Sequence, residues 1–162
     1  MTLEEFRSIT EQKRWGSHAA LLLNGHSPKP EETDQFATYW IEGGHRIREQ
    51  IADDRELVRL LRHMLPPYEG VAIELFRGEN ESRWESGAIG LAWTSNAETA
   101  RMFARGLNAV HTGGVLLKGK FEPLAIISGP NAHSKYLGED QFTIDPFLSR
   151  TFSPVETFPP VT

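Results

Sequence analysis

The sequence contains no cysteine among its 162 residues. Without cysteine the protein has no disulfide framework, no thiolate nucleophile and no zinc site with cysteine ligands. Its six histidines stand at positions 18, 26, 45, 63, 111 and 133, and no two of them are four residues apart. That spacing argues against a zinc-binding helix. We therefore expect no metal site.

Long apolar runs and an N-terminal targeting pattern are also missing. The longest early apolar run is residues 19–23, which is far too short to cross a bilayer. The first residues read MTLEEFRS, with acids where a signal peptide needs basic residues ahead of an apolar run. These absences predict a soluble, cytoplasmic protein with no membrane partner.

An excess of basic charge is absent as well. The formal net charge is −5, which argues against a large nucleic-acid footprint but leaves a local basic groove open. The apolar share of 39% and the charged share of 24% are ordinary for a globular protein. The length favours one compact domain, with room for an attached helical subdomain.

Residues 1–66 carry the patterns of amphipathic helices, and we assign them to an N-terminal helical subdomain. Thr2 followed by Glu5 has the spacing of a capping box, and Asp53 followed by Glu56 marks a second helix start. A longer helix is expected over about 31–51, with two glycines at 43–44 in its middle. Each glycine costs about 1 kcal/mol against Ala, so the pair indicates either a break or a close approach by another element.

Residues 67–162 have a different pattern, with strand-like alternation, and the change comes at two prolines, 66–67. Strands are predicted near 71–75, 115–120, 124–128 and 142–144, a helix at 96–105, and an extended proline-containing tail. Helices segregated from strands indicate an α+β fold rather than alternating βαβ units. Neither G-x-G-x-x-G nor the P-loop pattern is present, so the common dinucleotide and P-loop signatures are missing.

Three segments stand out when they are taken in order: LFRG at 75–78, GLAWTSN at 90–96 with ARMFA at 100–104, and GEDQFTI at 138–144. This order resembles the Arg–Ser–Glu group of ADP-ribosyltransferases. In that family an Arg in a YRG-like triplet comes first, a Ser-Thr-Ser strand leads into an A-x-x-F helix, and a Glu-x-Glu strand comes last. The resemblance covers about residues 70–146 and implies a split β-sheet core.

The resemblance also implies a chemistry, in which NAD is the substrate and no metal takes part. These enzymes cleave the bond between nicotinamide and ribose through a transition state that resembles an oxocarbenium ion. The family Arg binds the diphosphate or a ribose. A carboxylate stabilises the positive charge that develops on the sugar. A neighbouring Ser orients that carboxylate, and an aromatic side chain stacks on nicotinamide.

Carried over residue by residue, the resemblance assigns Arg77 and Gly78 to dinucleotide binding. Trp93 and Thr94 would shape the nicotinamide side. Glu139 would receive or activate the acceptor, and Gln141 would contact the ribose. We expect four of these residues to line one concave surface, namely Arg77, Trp93, Thr94 and Gln141.

Two positions depart from the family pattern. Ala92 stands where the first Ser is expected, and Gln141 stands where the second, catalytic Glu is expected. A glutamine can hydrogen-bond to a ribose hydroxyl but supplies no negative charge. Losing one preorganised electrostatic group typically costs roughly 10²–10³ in rate. An alignment shifted by two residues would instead place Glu139 at the catalytic point.

Simpler interpretations of the same residues stay open. Arg77 would serve equally well in an ion pair at the sheet, and Trp93 in the core. Glu139 and Asp140 also fit a solvated turn ahead of a strand.

Two functions therefore remain at this stage. One is an NAD-dependent mono-ADP-ribosyltransferase that modifies a protein or nucleic acid, with a protein as the expected acceptor. The other is a catalytically weak member of the same fold that binds a nucleotide or a partner protein. Analogy with the family suggests a bacterial or phage effector or defence setting.

Overall fold

The structure is a computed structural model and describes residues 1–148 and 151–161. The chain divides into two compact units, Met1–Pro67 and Tyr68–Thr162. The first is helical and the second is built on a six-stranded antiparallel sheet, so the predicted α+β class is confirmed. Within the described residues, no helix combines the length and the apolar character needed to cross a membrane.

The helical unit contains four helices: α1 (Leu3–Glu11), α2 (Trp15–Leu23), α3 (Pro30–Ile51) and α4 (Asp54–Met64). The predicted capping box starts α1, because the Thr2 hydroxyl accepts the N–H of Glu5 and the Glu5 carboxylate accepts the N–H of Thr2. The Asp53 side chain caps α4 in the predicted way. The local signals therefore fix where both helices begin.

The two glycines in α3 do not break it, since the helix runs without interruption from Pro30 to Ile51. A Cβ at Gly43 would lie 2.7 Å from the Tyr39 ring, and a Cβ at Gly44 would lie 2.8 Å from the Trp40 ring. Each ring thus covers the glycine four residues further along the helix. The Tyr39 hydroxyl then reaches the buried hydroxyl of Thr10 at 2.5 Å. The expected break is therefore absent, and the close approach is made by two rings of α3 itself, not by another element.

His18 in α2 carries a buried polar atom. Its Nδ1 has no hydrogen-bond partner among the described residues. Burial lowers the pKa of His18 below the ordinary value of 6.5, and the positive charges of Arg14 and His26 lower it further. The folded state therefore resists protonation of this ring.

This lowered pKa predicts a loss of stability as the pH falls. Through the region around pH 6.5 the unfolded chain binds a proton at His18 that the folded chain does not. We expect the free energy of unfolding of His18→Leu to change less with pH in this range. The variant should also stabilise the helical unit by roughly 1 kcal/mol, because the unpaired buried nitrogen is removed. Urea unfolding followed by circular dichroism at pH 7.5 and pH 5.5 measures both effects, and the same change at exposed His45 is the control. If the free energy of unfolding falls equally between pH 7.5 and pH 5.5 in the wild type and in His18→Leu, this account is wrong.

The described residues of the second unit form six strands, namely β1 (Ile73–Asn80), β2 (Ala92–Thr94), β3 (Gly114–Phe121), β4 (Ile126–Ser128), β5 (Gln141–Ile144) and β6 (Phe152–Phe158). Their order across the sheet is β4-β5-β2-β1-β3-β6, and every neighbouring pair is antiparallel. Three helices accompany them: α5 (Glu81–Ser86), α6 (Ala97–Arg105) and α7 (Ala132–Tyr136). A short 3-10 turn, Pro123–Ala125, leads into β4.

The structure extends the sequence predictions in two places. Strand β1 continues through the whole LFRG segment to Asn80. The proline-containing tail, expected only to be extended, forms the edge strand β6. A bulge interrupts the β3–β6 ladder, where Leu116 pairs with Glu156 but Leu117 pairs with Pro154, leaving Val155 unpaired.

The sheet has two faces with different contents. Directly paired residues point to the same side, and successive residues alternate. Because Phe76 pairs with Thr94 and Thr94 pairs with Gln141, these three share one face with Gly78; we call it the helix face. The opposite face, the core face, carries Leu75, Arg77, Glu79, Trp93 and Phe142.

Helix α6 packs on the helix face, and two glycines allow its close approach. A Cβ at Gly78 would overlap the Ala100 carbonyl oxygen, and a Cβ at Gly114 would overlap that of Ala104. The side chain of Asn108 also donates to the Gly78 carbonyl oxygen at 2.6 Å. The glycine after Arg77 is therefore required by helix packing.

Gly78→Ala should destabilise this unit. The added methyl group meets helix backbone that cannot move away alone, so we expect a loss of about 2 kcal/mol or more. Gly129→Ala is the matched control, because its Cβ would have its nearest contact at 3.5 Å, on the Tyr68 ring. Thermal unfolding of the two variants, followed by near-ultraviolet circular dichroism, gives the comparison. Similar melting temperatures would show that α6 does not depend on this contact.

Candidate functional site

Arg77 lies on the core face of β1 and is held at two of its nitrogen atoms. Its Nε donates to the Glu79 carboxylate at 2.8 Å, and its Nη1 donates to the Ala92 carbonyl oxygen at 2.7 Å. The third nitrogen, Nη2, packs against Gly90, where a Cβ would overlap it. Within the described residues Nη2 donates to no group, and 19% of the side chain is exposed.

Glu79 is the partner that sequence reasoning missed. Its side chain is 1% exposed, and its hydrogen bonds and ion pairs come from four donor groups. Besides Arg77, the backbone N–H groups of Gly90 and Asn80 donate to it, each at 2.9 Å, and Arg83 Nε lies 3.4 Å away. The sequence did contain the information needed to find this pair, because residues 77 and 79 of one strand must lie on the same face of the sheet.

The electrostatics of Glu79 follow from these contacts. Burial alone raises the pKa of a carboxyl group, but the charge and the hydrogen bond of Arg77 act against it, helped by the N–H groups of Gly90 and Asn80. The net result is a Glu79 pKa below its ordinary value. Glu79 is therefore an ionised group held inside the fold.

Thr94 and Gln141 form a cross-strand pair on the helix face. The Thr94 hydroxyl oxygen accepts the N–H of Asn96 at 3.1 Å, and the Gln141 N–H donates to the Ser134 hydroxyl at 3.3 Å. The motif alignment had placed the orienting Ser at Ala92, whose partner in the sheet is Thr143. The hydroxyl group that lies opposite position 141 belongs instead to Thr94.

Glu139 lies in the turn between α7 and β5, outside the sheet. Its N–H donates to the Ser134 carbonyl oxygen at 3.0 Å, and the following Asp140 has a positive φ of 43°. The carbonyl oxygen of Gly138 accepts the Thr99 hydroxyl of α6 at 3.3 Å. The half-buried Glu139 is thus part of a turn that is tied to α6, which matches the simpler interpretation of these residues.

Trp93 is a core residue in this structure. It is 2% exposed, and its ring lies 4.9 Å from the Phe121 ring and 5.2 Å from the Phe152 ring, between centroids. Its indole N–H donates to the Gly90 carbonyl oxygen at 3.2 Å. No ring face is therefore open for stacking on nicotinamide in this conformation.

The candidate residues consequently separate into two groups. Arg77 and Trp93 belong to the core face, and Thr94 and Gln141 belong to the helix face. The expectation that all four line one surface is not met, because the sheet lies between the groups. On the helix face the pair is uncharged, whereas the core face carries the Arg77–Glu79 ion pair.

Comparison with protein-family models, with curated proteins and with solved structures gives no match. The relation to ADP-ribosyltransferases therefore depends on the ordered motifs alone and stays a prediction.

The ion pair on the core face predicts a specific acid sensitivity. Because the Glu79 pKa is lowered by folding, its stabilising contribution is complete above the ordinary value of 4.5 and is lost as the pH falls through the lower folded value. Glu79→Gln should remove that contribution and cost about 2 kcal/mol or more at pH 7, since it leaves Arg77 without a counter-charge.

The measurement is the free energy of unfolding in urea between pH 7 and pH 3. Glu74→Gln is the control, because Glu74 also lies on β1 but forms an exposed pair with Lys118 at 3.5 Å. Exposed pairs contribute about 0–1 kcal/mol. If the two variants lose the same stability at pH 7, burial of Glu79 has no energetic role.

Proposed function

We propose that the Tyr68–Thr162 unit is an ADP-ribosyltransferase-like domain that binds NAD or a related nucleotide but cleaves it weakly. It would then act as a nucleotide-binding module. The ordered motifs over residues 70–146 support the relation, and the split-sheet core that they imply belongs to the same proposal. We infer weak activity from the neutral Thr94–Gln141 pair, which lies where the resemblance requires a carboxylate and a hydroxyl group that orients it.

The physical argument concerns the charge on the ribose. Cleavage of the nicotinamide bond places positive charge on the sugar, and a fixed carboxylate stabilises it in the transition state. The amide of Gln141 supplies a dipole without that charge. Arg77 cannot assist at the same point, because it lies on the other face and is held by Glu79. Binding without efficient turnover is the expected result.

A second candidate is mono-ADP-ribosyl transfer to a protein acceptor, and Glu139 favours it. This carboxylate lies two residues ahead of Gln141, in a turn that a hydrogen bond from Thr99 joins to α6. A shifted alignment gives Glu139 the catalytic role. Activity of the wild-type protein decides between the two candidates.

The decisive experiment measures binding and cleavage separately. Isothermal titration with NAD, ADP-ribose and ADP gives the affinities, and chromatography of free nicotinamide gives the cleavage rate. We expect saturable binding with little nicotinamide release. Rapid nicotinamide release would favour the enzyme hypothesis. If none of the three compounds binds, the hypothesis of a nucleotide-binding module is wrong.

Gln141→Glu tests the role of the missing charge. The new carboxylate lies opposite the Thr94 hydroxyl, whose oxygen accepts from Asn96 and whose hydrogen is available to orient it. NAD cleavage should rise by roughly 10-fold or more. Thr94→Val in the same background should remove most of that gain, because an unoriented carboxylate is less preorganised.

Two further variants complete this test. Gln141→Met adds no charge and should not raise cleavage. Ala92→Ser combined with Gln141→Glu should gain little over Gln141→Glu, since Ala92 pairs with Thr143. A wild-type protein that cleaves NAD well and is unaffected by Gln141→Glu, but is inactivated by Glu139→Gln, would move the catalytic role to Glu139.

A further inference from the structure

The turn that ends α2 contains an asparagine followed directly by a glycine. Helix α2 ends at Leu23, Asn24 is its C-cap residue, and Gly25 follows with a φ of 100°. A glycine in the left-handed region commonly stops a helix, because it has no Cβ that would clash there. Both Asn24 and Gly25 are exposed. The end of the helix therefore presents this pair at the surface.

The peptide group between Asn24 and Gly25 makes no hydrogen bond within residues 1–148 and 151–161. The Asn24 carbonyl oxygen accepts none, and the Gly25 N–H donates none. The side-chain amide of Asn24 also has no hydrogen-bond partner in the same ranges. Apart from its chain neighbours, no atom would lie within 4 Å of a Cβ at Gly25. This peptide group is therefore free to rotate against the side chain of Asn24.

The other four asparagines of the chain, all of which the structure describes, are fixed by their side chains. Asn80 and Asn108 donate to main-chain carbonyl oxygens. Asn96 and Asn131 accept N–H groups at the starts of α6 and α7. Each of the four is followed by a residue with a Cβ, either Glu or Ala. Among the five asparagines, Asn24 alone combines an unbonded side chain with a following glycine.

The chemistry open to this pair is attack of the main chain on the side-chain amide. The Gly25 nitrogen loses its proton to hydroxide and bonds to Cγ of Asn24, which closes a succinimide ring. The bond between Cγ and Nδ2 breaks, and ammonia leaves with a proton taken from water. A second water molecule then opens the ring at either carbonyl carbon and gives aspartate or isoaspartate. The balance is one water consumed and one ammonia released, without oxidation or reduction.

We propose that Asn24 is a site of spontaneous deamidation in the folded protein, and that it reacts ahead of the other four asparagines. The reacting atoms are already neighbours in the chain, so the rate depends on how often they adopt the attack geometry. Glycine helps at the next position, since it puts no side chain beside the attacking nitrogen. The inference does not depend on nucleotide binding, because the pair belongs to the helical unit.

Either product changes the end of α2. A carboxylate at position 24 adds negative charge at the C-terminal end of the helix dipole, and the last turn of α2 has no basic residue to offset it. Isoaspartate also leads the main chain through Cβ, so the connection to α3 gains one atom. That connection is held at His26, whose ring contacts Glu32 at 2.7 Å and whose carbonyl oxygen accepts from His63 Nε2 at 2.5 Å. The modification therefore alters a connection that is fixed near its middle.

The experiment is incubation of the full chain in mildly alkaline buffer, followed by digestion and mass spectrometry of the asparagine-containing peptides. In the folded protein, Asn24 should deamidate at least about 10-fold faster than each of the other four, because a held side chain seldom adopts the attack geometry. Guanidinium chloride releases all five side chains. The rate at Asn24 should then change by less than about 3-fold, since an exposed turn opens at almost no cost. The other four asparagines should react faster.

Two variants test the pair itself. Gly25→Ala puts a Cβ beside the attacking nitrogen and should slow deamidation of Asn24 by about 10-fold or more. Gly87→Ala is the matched control, because Gly87 also has a positive φ, of 77°, and open surroundings, but follows a serine. The control should deamidate at Asn24 as the wild type does. Asn24→Gln would have to close a larger ring, and should remove most of the ammonia that the folded wild-type protein releases.

Four outcomes would overturn the proposal. They are a rate at Asn24 in the folded protein no higher than at the other four asparagines, a rate that folding lowers by more than the stated factor, equal rates in Gly25→Ala and Gly87→Ala, and unchanged ammonia release by Asn24→Gln. The proposed function fails separately, since it is tested by titration with NAD, ADP-ribose and ADP. Deamidation at Asn24 without nucleotide binding would leave this inference intact.

Discussion

The alternation of side chains along β1 governs the arrangement of the second unit. Between Leu75 and Asn80 the odd positions face the core and the even positions face α6. This one constraint puts Arg77 beside Glu79 and at the same time puts Gly78 under the helix. A shift of one residue in register would bury the two charges under α6 and expose the glycine to the core. The ion pair and the helix packing therefore depend on the same register.

That register also explains why a linear motif was a poor guide to a three-dimensional site. The Arg77 segment and the Gln141 segment come in the family's order, and β2 does lie between β1 and β5 in the sheet. Order and adjacency, however, do not specify the face on which a side chain lies. The pairing of Phe76 with Thr94 decides that point, and it sends Arg77 to the opposite side. Two residues can therefore lie on nearby strands of one sheet and still be unable to contact the same ligand.

Much of the fold could be predicted from local chemistry. Capping residues such as Thr2 and Asp53 gave the helix starts, and the segregation of helices from strands gave the α+β class. Helices α5 and α7 were not predicted because five or six residues are too few to show a period. Strand β6 was not predicted because Pro154 is atypical of strands. The candidate site was harder to predict from the sequence. The role of Glu79 depends on backbone N–H groups of Gly90 and Asn80, which only the folded chain brings together.

The bulge in β6 has a consequence for how this protein behaves among other copies of itself. An outermost strand normally offers a regular row of unpaired N–H and C=O groups, which is a template for strand addition and aggregation. In β6 the unpaired Val155 disrupts the spacing of that row, and Pro154 lacks an N–H altogether. The bulge and Pro154 thus make this edge strand a poor template for intermolecular sheet growth.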